Sequence, residues 1–478
     1  MPLGNRLIDK NMLNPDQLER ARVHQKTAGG SLVDSLLALD LISSEELAAL
    51  LGAPPPEPES IEETGLDGAF LLDFILKAVS LTGFETIHAL SDYTKLPPGV
   101  IHEVLEDAKA KQLIEVLGLS EGGGSAYRYA LTSEGRRWAL DAFQSCQYTG
   151  PAPVPIARWQ EQVVRQSINN DHVTPEAASS ALAHMVLPED MLGRLGPAIN
   201  SGRAILVYGG VGNGKTSIAE AVGNAFPQKI WLPYCVEVAG QIIKLFDPAV
   251  HHAVEKNDND EETDARWVQC HRPVIVTVGE LTLEMLDLSF DEISKTYEAP
   301  AHVKATGGVF IVDDFGRQRV RAQDLLNRWI FPLERRVDFL TLHTGMKIQV
   351  VFDQLAVFST NFAPKELVDD AGLRRIPYKF NIAAPDRQIY TEILERLCAA
   401  RNVDMPASVV SYLLDRFYPM TKLPISGAHP AFIVEHVIER CRFDGREPKM
   451  DLDLVREAAQ HLCVDAEAPE PDPVLCQE

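Results

Sequence analysis

Residues 209–217 read GGVGNGKTS, and Gly209, Gly214, Lys215 and Thr216 satisfy the spacing GxxxxGK[ST]. Glycines at 209, 210, 212 and 214, with Val211 and Asn213 between them, let the backbone curl until its N–H groups converge. Gly209, Gly210, Val211, Gly212, Asn213, Gly214, Lys215, Thr216 and Ser217 are therefore a candidate phosphate cradle that opens a helix. In such a cradle the lysine reaches the β and γ phosphates and the Thr216 hydroxyl ligates magnesium. Further along, GGVFIVDDFG at 307–316 ends an apolar run on Asp313 and Asp314. Carboxylates at the C-terminal edge of a buried parallel strand stand where α/β sheets place ligands. Asp313 is expected to hold the metal through water, and Asp314 to polarise an attacking water. The chemistry these residues lead one to expect is binding and hydrolysis of ATP with Mg2+. Aspartate reaches about 1.5 Å less than the glutamate usual in that role, and a displacement near ~1 Å costs on the order of a hundredfold. Either the backbone sits closer or turnover is slow, and slow hydrolysis is the expectation.

These residues need a strand before the loop, a helix after it and a second strand behind the aspartates. AILVY, IAEAVGNAF and VFIV supply all three. The expected fold class is α/β, a P-loop parallel-sheet core, with the loop and the carboxylate pair on adjacent strands. Around it, the pattern divides the chain into a small helical domain at 1–52, a linker at 53–65, a domain at 66–150, the core at 151–384, a helical lid at 385–463 and an acidic tail at 464–478.

The chain has 478 residues, 45% apolar and 24% charged, the mix of ordinary globular domains. No apolar run reaches the roughly 18 residues that span a bilayer, and MPLGNRLIDKN has no secretory pattern. A cytoplasmic protein without membrane insertion is expected. The seven cysteines are scattered without CxxC or zinc spacing, which argues against a disulfide or metal scaffold. A net charge of −23 argues against broad coating of nucleic acid and leaves local basic patches open.

Leu3, Leu7, Ile8, Met12, Leu13 and Leu18 recur 29 residues later as Leu32, Leu36, Leu37, Leu41, Ile42 and Leu47. Asn14 and Ser43 or Ser44 stand as N-caps before acidic stretches. Two helical hairpins would bury that leucine pattern. The segment LGNRLIDKNMLNPDQLERARVHQ resembles the N-terminal domain of type II secretion and type IV pilus assembly ATPases, some of which bind cyclic di-GMP. Pro2 and Asn11 replace the arginine and glycine of the nucleotide-binding version, and Val33 and Asp40 replace both glycines of the second half. A docking module is expected in preference to a cyclic di-GMP site.

APPPEPESIEET at 53–64 reads as a linker. FLLDFILKAV, ETIHALSDYT and PPGVIHEVLEDAKAKQL follow as three helical patterns. IEVLG and AYRYALT flank the turn EGGGS at 121–125, and SEGRRWALDAF opens another helix, so residues 66–145 look like a winged helix. Its third helix carries Glu103, Glu106 and Asp107 against Lys109 and Lys111, which favours protein docking over DNA phosphate.

Together with the nucleotide loop, VFIVDDFGRQ, VFSTNF at 357–362 and DDAGLRRIPYKF at 369–380 make residues 185–462 resemble the AAA+ ATPases. A paired Asp-Asp also occurs in initiator and helicase-loader members. The resemblance implies that Asn361 is the first sensor residue. It further implies that Arg374 and Arg375 are arginine fingers lent to a neighbouring subunit, in a homo-oligomeric ring of about six. The second sensor arginine is missing: SGAHPAFIVEHV stands in its place, and Ala431 supplies no cation. Alternation in DFLTLH and KIQVVFD around HTGM indicates a β-hairpin. It resembles the pre-sensor hairpin of the branch that includes MoxR-type chaperones and enhancer-binding activators, where hairpins project toward the ring pore. VEVAGQIIKLFD and RPVIVTVG are expected to form an inserted β element around a solvated acidic loop at 255–264. The leading expectation is a motor that remodels a protein complex. The alternatives are a DNA-associated loader or regulator and a nucleotide-sensing scaffold of pilus or secretion machinery.

Overall fold

The computed structural model describes residues 4, 7, 8, 12–28, 32–43, 46, 52–119, 127–255 and 263–463. Pro2, Asn11, Ser44 and Leu47, the turn at 121–125, residues 256–262 of the acidic loop and the tail from 464 lie outside the described residues.

Five parallel strands form the central sheet: β1 (Ile205–Gly209), β2 (Val274–Thr277), β3 (Val309–Val312), β4 (Leu355–Thr360) and β5 (Tyr378–Ile382). Their spatial order is β5-β1-β4-β3-β2. Successive side chains on a strand face opposite sides, and both sides here are covered. Ile205, Val207, Val309, Ile311 and Val357 pack on helix α1 (Lys215–Asn224) and on helices Pro175–Leu182 and Glu189–Asn200. Leu206, Phe310, Val312 and Phe358 pack on helix α2 (Ala322–Arg335) through Leu325, Leu326 and Trp329. Being covered on both faces explains why VFIV and LAVF are apolar throughout rather than alternating.

Two expectations about the sheet are corrected. The phosphate loop and the carboxylate pair do not leave adjacent strands, because β4 lies between β1 and β3. RPVIVTVG is not part of the insertion: its residues 274–277 are β2, the edge of the core sheet paired with β3. The reason is shared: apolar β runs look alike whichever sheet they join, so pairing is settled by tertiary contact. VEVAGQIIKLFD does supply inserted β structure. Cys235–Val238 and Gln241–Lys244 form an antiparallel hairpin within a second five-stranded sheet.

Two lid helices matter for the site, α3 (Arg387–Ala400) and α4 (His429–Phe443). Tyr390, Leu394, Val434, Val437 and Val455 are among the residues that give the lid its own core. In the N-terminal part, helices Gly68–Thr82, Ile87–Thr94 and Pro98–Ala110 precede the antiparallel strands Ile114–Leu119 and Tyr127–Leu131. Helix Ser133–Ser145 follows, capped by the Thr132 hydroxyl. Among the described residues of the N-terminal repeat, its two halves carry matching caps. Asn14 and Gln17 exchange backbone-to-side-chain bonds at 2.9 and 2.8 Å, and Ser43 and Glu46 do so at 3.0 and 3.2 Å. These are two capping boxes, 29 residues apart.

The proline-rich stretch before residue 65 is held against the core. Asp264 donates its N–H to Pro55 O, and the Arg266 guanidinium, fully buried, donates to Thr64 O and Pro153 O. The later hairpin pairs Val337–Thr341 with Lys347–Val351. One of its faces is packed, since Leu340, Leu342, Ile348 and Val350 join Trp159, Trp231 and Tyr297 in one cluster. Among the described residues no helix is long and apolar enough to cross a membrane.

Candidate functional site

The loop between β1 and α1 has the backbone that its glycines permit. Gly209, Gly212 and Gly214 have φ of 146°, 76° and 81°. A Cβ on Gly209 would come 2.1 Å from Ile382 O on β5, so the close approach of the two strands requires glycine there.

Lys215 begins α1, is 7% exposed, and donates its Nζ to Gly210 O at 2.7 Å and to Asn361 Oδ1 at 2.6 Å. Asn361, one residue past β4, donates its Nδ2 to Asp314 Oδ1 at 3.1 Å. Thr216 donates its hydroxyl to Asp313 Oδ2 at 2.8 Å. Because β4 lies between β1 and β3, Asn361 emerges between the lysine and Asp314 and touches both. Burial lowers the Lys215 pKa, while the nearby Asp313 and Asp314 charges oppose that shift.

Asp314 sits in a left-handed turn, φ 49°. The turn is fixed on both sides: Phe315 donates its N–H to Ser359 O at 2.7 Å, and Gln318 donates Nε2 to Asp313 O at 2.7 Å. Aspartate tolerates this backbone more readily than residues with longer side chains. That is a local reason for aspartate where a longer carboxylate offers more reach.

A cavity of about 910 Å³ opens beside the loop. The phosphate loop from Gly212 to Ser217 forms one end; Met185, Val186 and Leu187 form a wall, faced by Ile389, Ile393 and Leu397 of α3 and by Gly427, Ala428 and Ala431. Its size and its mix of apolar wall with a few polar groups suit a small organic ligand. The wall at 183–188 and the α3 face were missed in the sequence. Their only signal is an apolar stretch before β1 and helical periodicity in the lid, neither of which points at a ligand. Two cations along the cavity were missed as well. Arg194 pairs with Asp190 at 3.3 Å, and Arg396 donates to Ala183 O and Met185 O at 3.0 and 3.3 Å.

Ala431 lines the cavity and brings no charge there. Arg374 and Arg375, at the end of helix Asp370–Arg375, are not among the cavity-lining residues. Arg375 is engaged within its own chain by Glu334 at 3.0 Å. Arg374 is exposed and has no side-chain partner among the described residues.

The oxygen pair Thr216–Asp313 suits a hard divalent cation. Among the described residues no group of three or more His, Cys, Asp or Glu could hold a metal ion. A cation here would be completed by ligand oxygens and water, the habit of magnesium.

Residues 386–461, the lid, match a family described as a domain of unknown function (DUF8689). No curated protein shows significant sequence similarity to the chain. Among solved structures, NtrX from Brucella abortus is 12% identical, with a TM-score of 0.38 over 60% of this chain and 58% of that one. The same protein in complex with ATP is 13% identical, with a TM-score of 0.35 over 69% and 67%. The Thermotoga maritima RuvB Holliday junction branch migration motor is 11% identical, with a TM-score of 0.32 over 63% and 73%. The chain thus spans a little over half the length of the first of these neighbours. It is an α/β protein with a P-loop core and helical elements on both faces of a parallel sheet.

Proposed function

We propose that the chain is an AAA+ ATPase that binds and hydrolyses ATP with Mg2+. One observation carries this reading: Lys215, Asn361 and Asp314 form a continuous hydrogen-bonded path beside the Thr216–Asp313 pair, at the phosphate-loop end of a cavity of about 910 Å³. The magnesium supplies charge neutralisation on the phosphates when bound. Lys215 would hold the β and γ phosphates, Thr216 and Asp313 would place the cation, and Asn361 and Asp314 would orient and polarise the attacking water. Arg374, exposed and unpartnered among the described residues, fits a finger reaching a neighbouring protomer's site better than Arg375, which is tied to Glu334. The working form is then a homo-oligomeric ring.

In this reading the motor remodels or assembles a protein complex in the cytoplasm, with residues 1–150 choosing the target. Protein is favoured over DNA as that target. Lys109, in the last turn of helix Pro98–Ala110, and Lys111, its C-cap, are paired with Glu106 and Asp107 of that helix at 3.3 and 2.7 Å, so their charge is locally neutralised. The pre-sensor hairpin would act as a lever from its exposed face, where Phe339 stands against Phe331 with ring centroids 5.7 Å apart.

The test is phosphate release by the purified chain with and without magnesium, beside Lys215→Ala. Magnesium-dependent release that is lost in the variant is expected. Release unchanged by the substitution removes the assignment.

A further inference from the structure

The segment leading into α4 lies against the phosphate loop. Ser426, 8% exposed, donates its hydroxyl to Val211 O at 3.0 Å and accepts from Ala428 N at 3.3 Å. Gly427 donates its N–H to Asn213 Oδ1 at 3.3 Å, and Asn213 donates its Nδ2 to Ile382 O on β5, also at 3.3 Å. The approach is close: a Cβ on Gly212 would lie 2.4 Å from Ser426 Oγ, and one on Gly427 would lie 3.2 Å from Gly212 O.

In a trans peptide the carbonyl of one residue and the N–H of the next point in opposite directions. The hydroxyl that holds the Val211 carbonyl therefore fixes the direction of the Gly212 N–H, one of the donors a phosphate cradle offers. A hydrogen bond on the carbonyl also polarises that peptide and strengthens its N–H as a donor. Of the lid residues along the cavity, Arg396 is the cation, and its guanidinium is occupied by Ala183 O and Met185 O. The lid thus touches the phosphate loop through neutral groups, one on the Val211 carbonyl and one on the Asn213 side chain.

We infer that Ser426 and Asn213 are the positioning pair that couples the lid to the phosphate loop. The lid sets the orientation of the peptide between Val211 and Gly212, and by reciprocity a phosphate seated on that loop sets the lid. A lid arginine is not required. The inference rests on the reading of residues 209–217 as a triphosphate-binding loop.

The experiment uses the full chain, titrated with a fluorescent ATP analogue, with hydrogen exchange followed over residues 386–461 with and without saturating analogue. Wild type, Ser426→Ala and Ser426→Thr are compared. Wild type should gain protection around 422–443 on binding. Ser426→Ala should bind roughly fivefold more weakly, the worth of one neutral hydrogen bond, and should lose that gain even at saturation. Ser426→Thr, which keeps the hydroxyl, should recover both. An alanine variant whose lid responds as wild type overturns the inference, whatever its affinity. A response lost equally in the threonine variant assigns the effect to packing and overturns it too. Should Ser426→Ala fail to fold, Asn213→Leu is judged by the same lid response. If wild type itself does not bind the analogue, the ATPase reading has failed, which is visible before any variant is made.

Discussion

The two ends of the central sheet carry similar side chains held by different kinds of partner. At the N-terminal end, Arg272 donates Nε to Asp171 Oδ2 at 3.0 Å, and Asp353 accepts from Ser167 Oγ at 2.6 Å and Ile168 N at 3.0 Å. Asp171, Arg272 and Asp353 are 5%, 6% and 4% exposed. Arg336 completes the cluster by donating to Gln354 O and Gly202 O. Burial raises the Asp353 pKa, against the bonds from Ser167 and Ile168 and the Arg336 and Arg272 charges. At the C-terminal end, Asp313, Asp314 and Asn361 are only partly buried, and Lys215 meets one carbonyl and one side chain. At the buried end most of the partners are peptide groups, fixed by the backbone itself. The open end is satisfied by side chains that can exchange one partner for another. Charge placed in the first way fixes the fold, and charge placed in the second way is available for chemistry.

The contrast is broken most directly at the buried end. Arg272→Met leaves Asp171 buried without its partner, and a loss of about 3–5 kcal/mol is expected, measured by urea unfolding monitored by circular dichroism. A loss below about 1 kcal/mol would show that the cluster relaxes and that the two ends are alike. At the open end, Lys215→Ala should do the reverse. Hydrolysis falls by on the order of a hundredfold or more, while the urea midpoint stays close to wild type.

Asp314→Glu sharpens the comparison within the open end. Turnover limited by reach alone would rise with the longer side chain. With the left-handed backbone at φ 49° and the 3.1 Å contact to Asn361, the expected result is a fall of about tenfold, read from steady-state kcat. The smallest effect concerns pH. The free Lys215 ammonium begins to lose its proton below the usual lysine value of 10.5, because burial disfavours its charge. Phosphate needs the charged form, so affinity should fall as pH rises on the alkaline side, with proton uptake on binding there. Calorimetry in buffers of different ionisation enthalpy detects that uptake, and its absence would place the affinity on the backbone donors alone.

Legibility in the sequence followed contiguity. The phosphate loop lies within nine residues and Asp313 within a four-residue apolar strand and its next residue, so spacing alone identified them. The Asn14 and Ser43 caps were legible for the same reason, because a cap and its partner are three residues apart. Asn361 was an expectation drawn from resemblance, and its place between Lys215 and Asp314 came only with the strand order. The cavity wall at Met185 and the Arg396 guanidinium gave no signal that points at a ligand, and Ser426 lay in a segment singled out only for its missing arginine, since each acts on groups far away along the chain. The packed face of the 337–351 hairpin was hidden too: its alternation indicates that one face is buried but not against what.

By itself, then, the sequence determined a glycine-rich turn opening a helix, a pair of carboxylates ending a buried strand, and a helical lid, because glycine conformations, apolar runs and caps act within a few residues. Tertiary structure decided which strand separates the turn from the carboxylates, what lines the cavity, and which lid groups touch the turn. Those outcomes depend on close approach between backbones distant in sequence, as at Gly209 with Ile382 and Gly212 with Ser426. No local propensity encodes such contacts, and packing selects them only when the whole sheet is assembled.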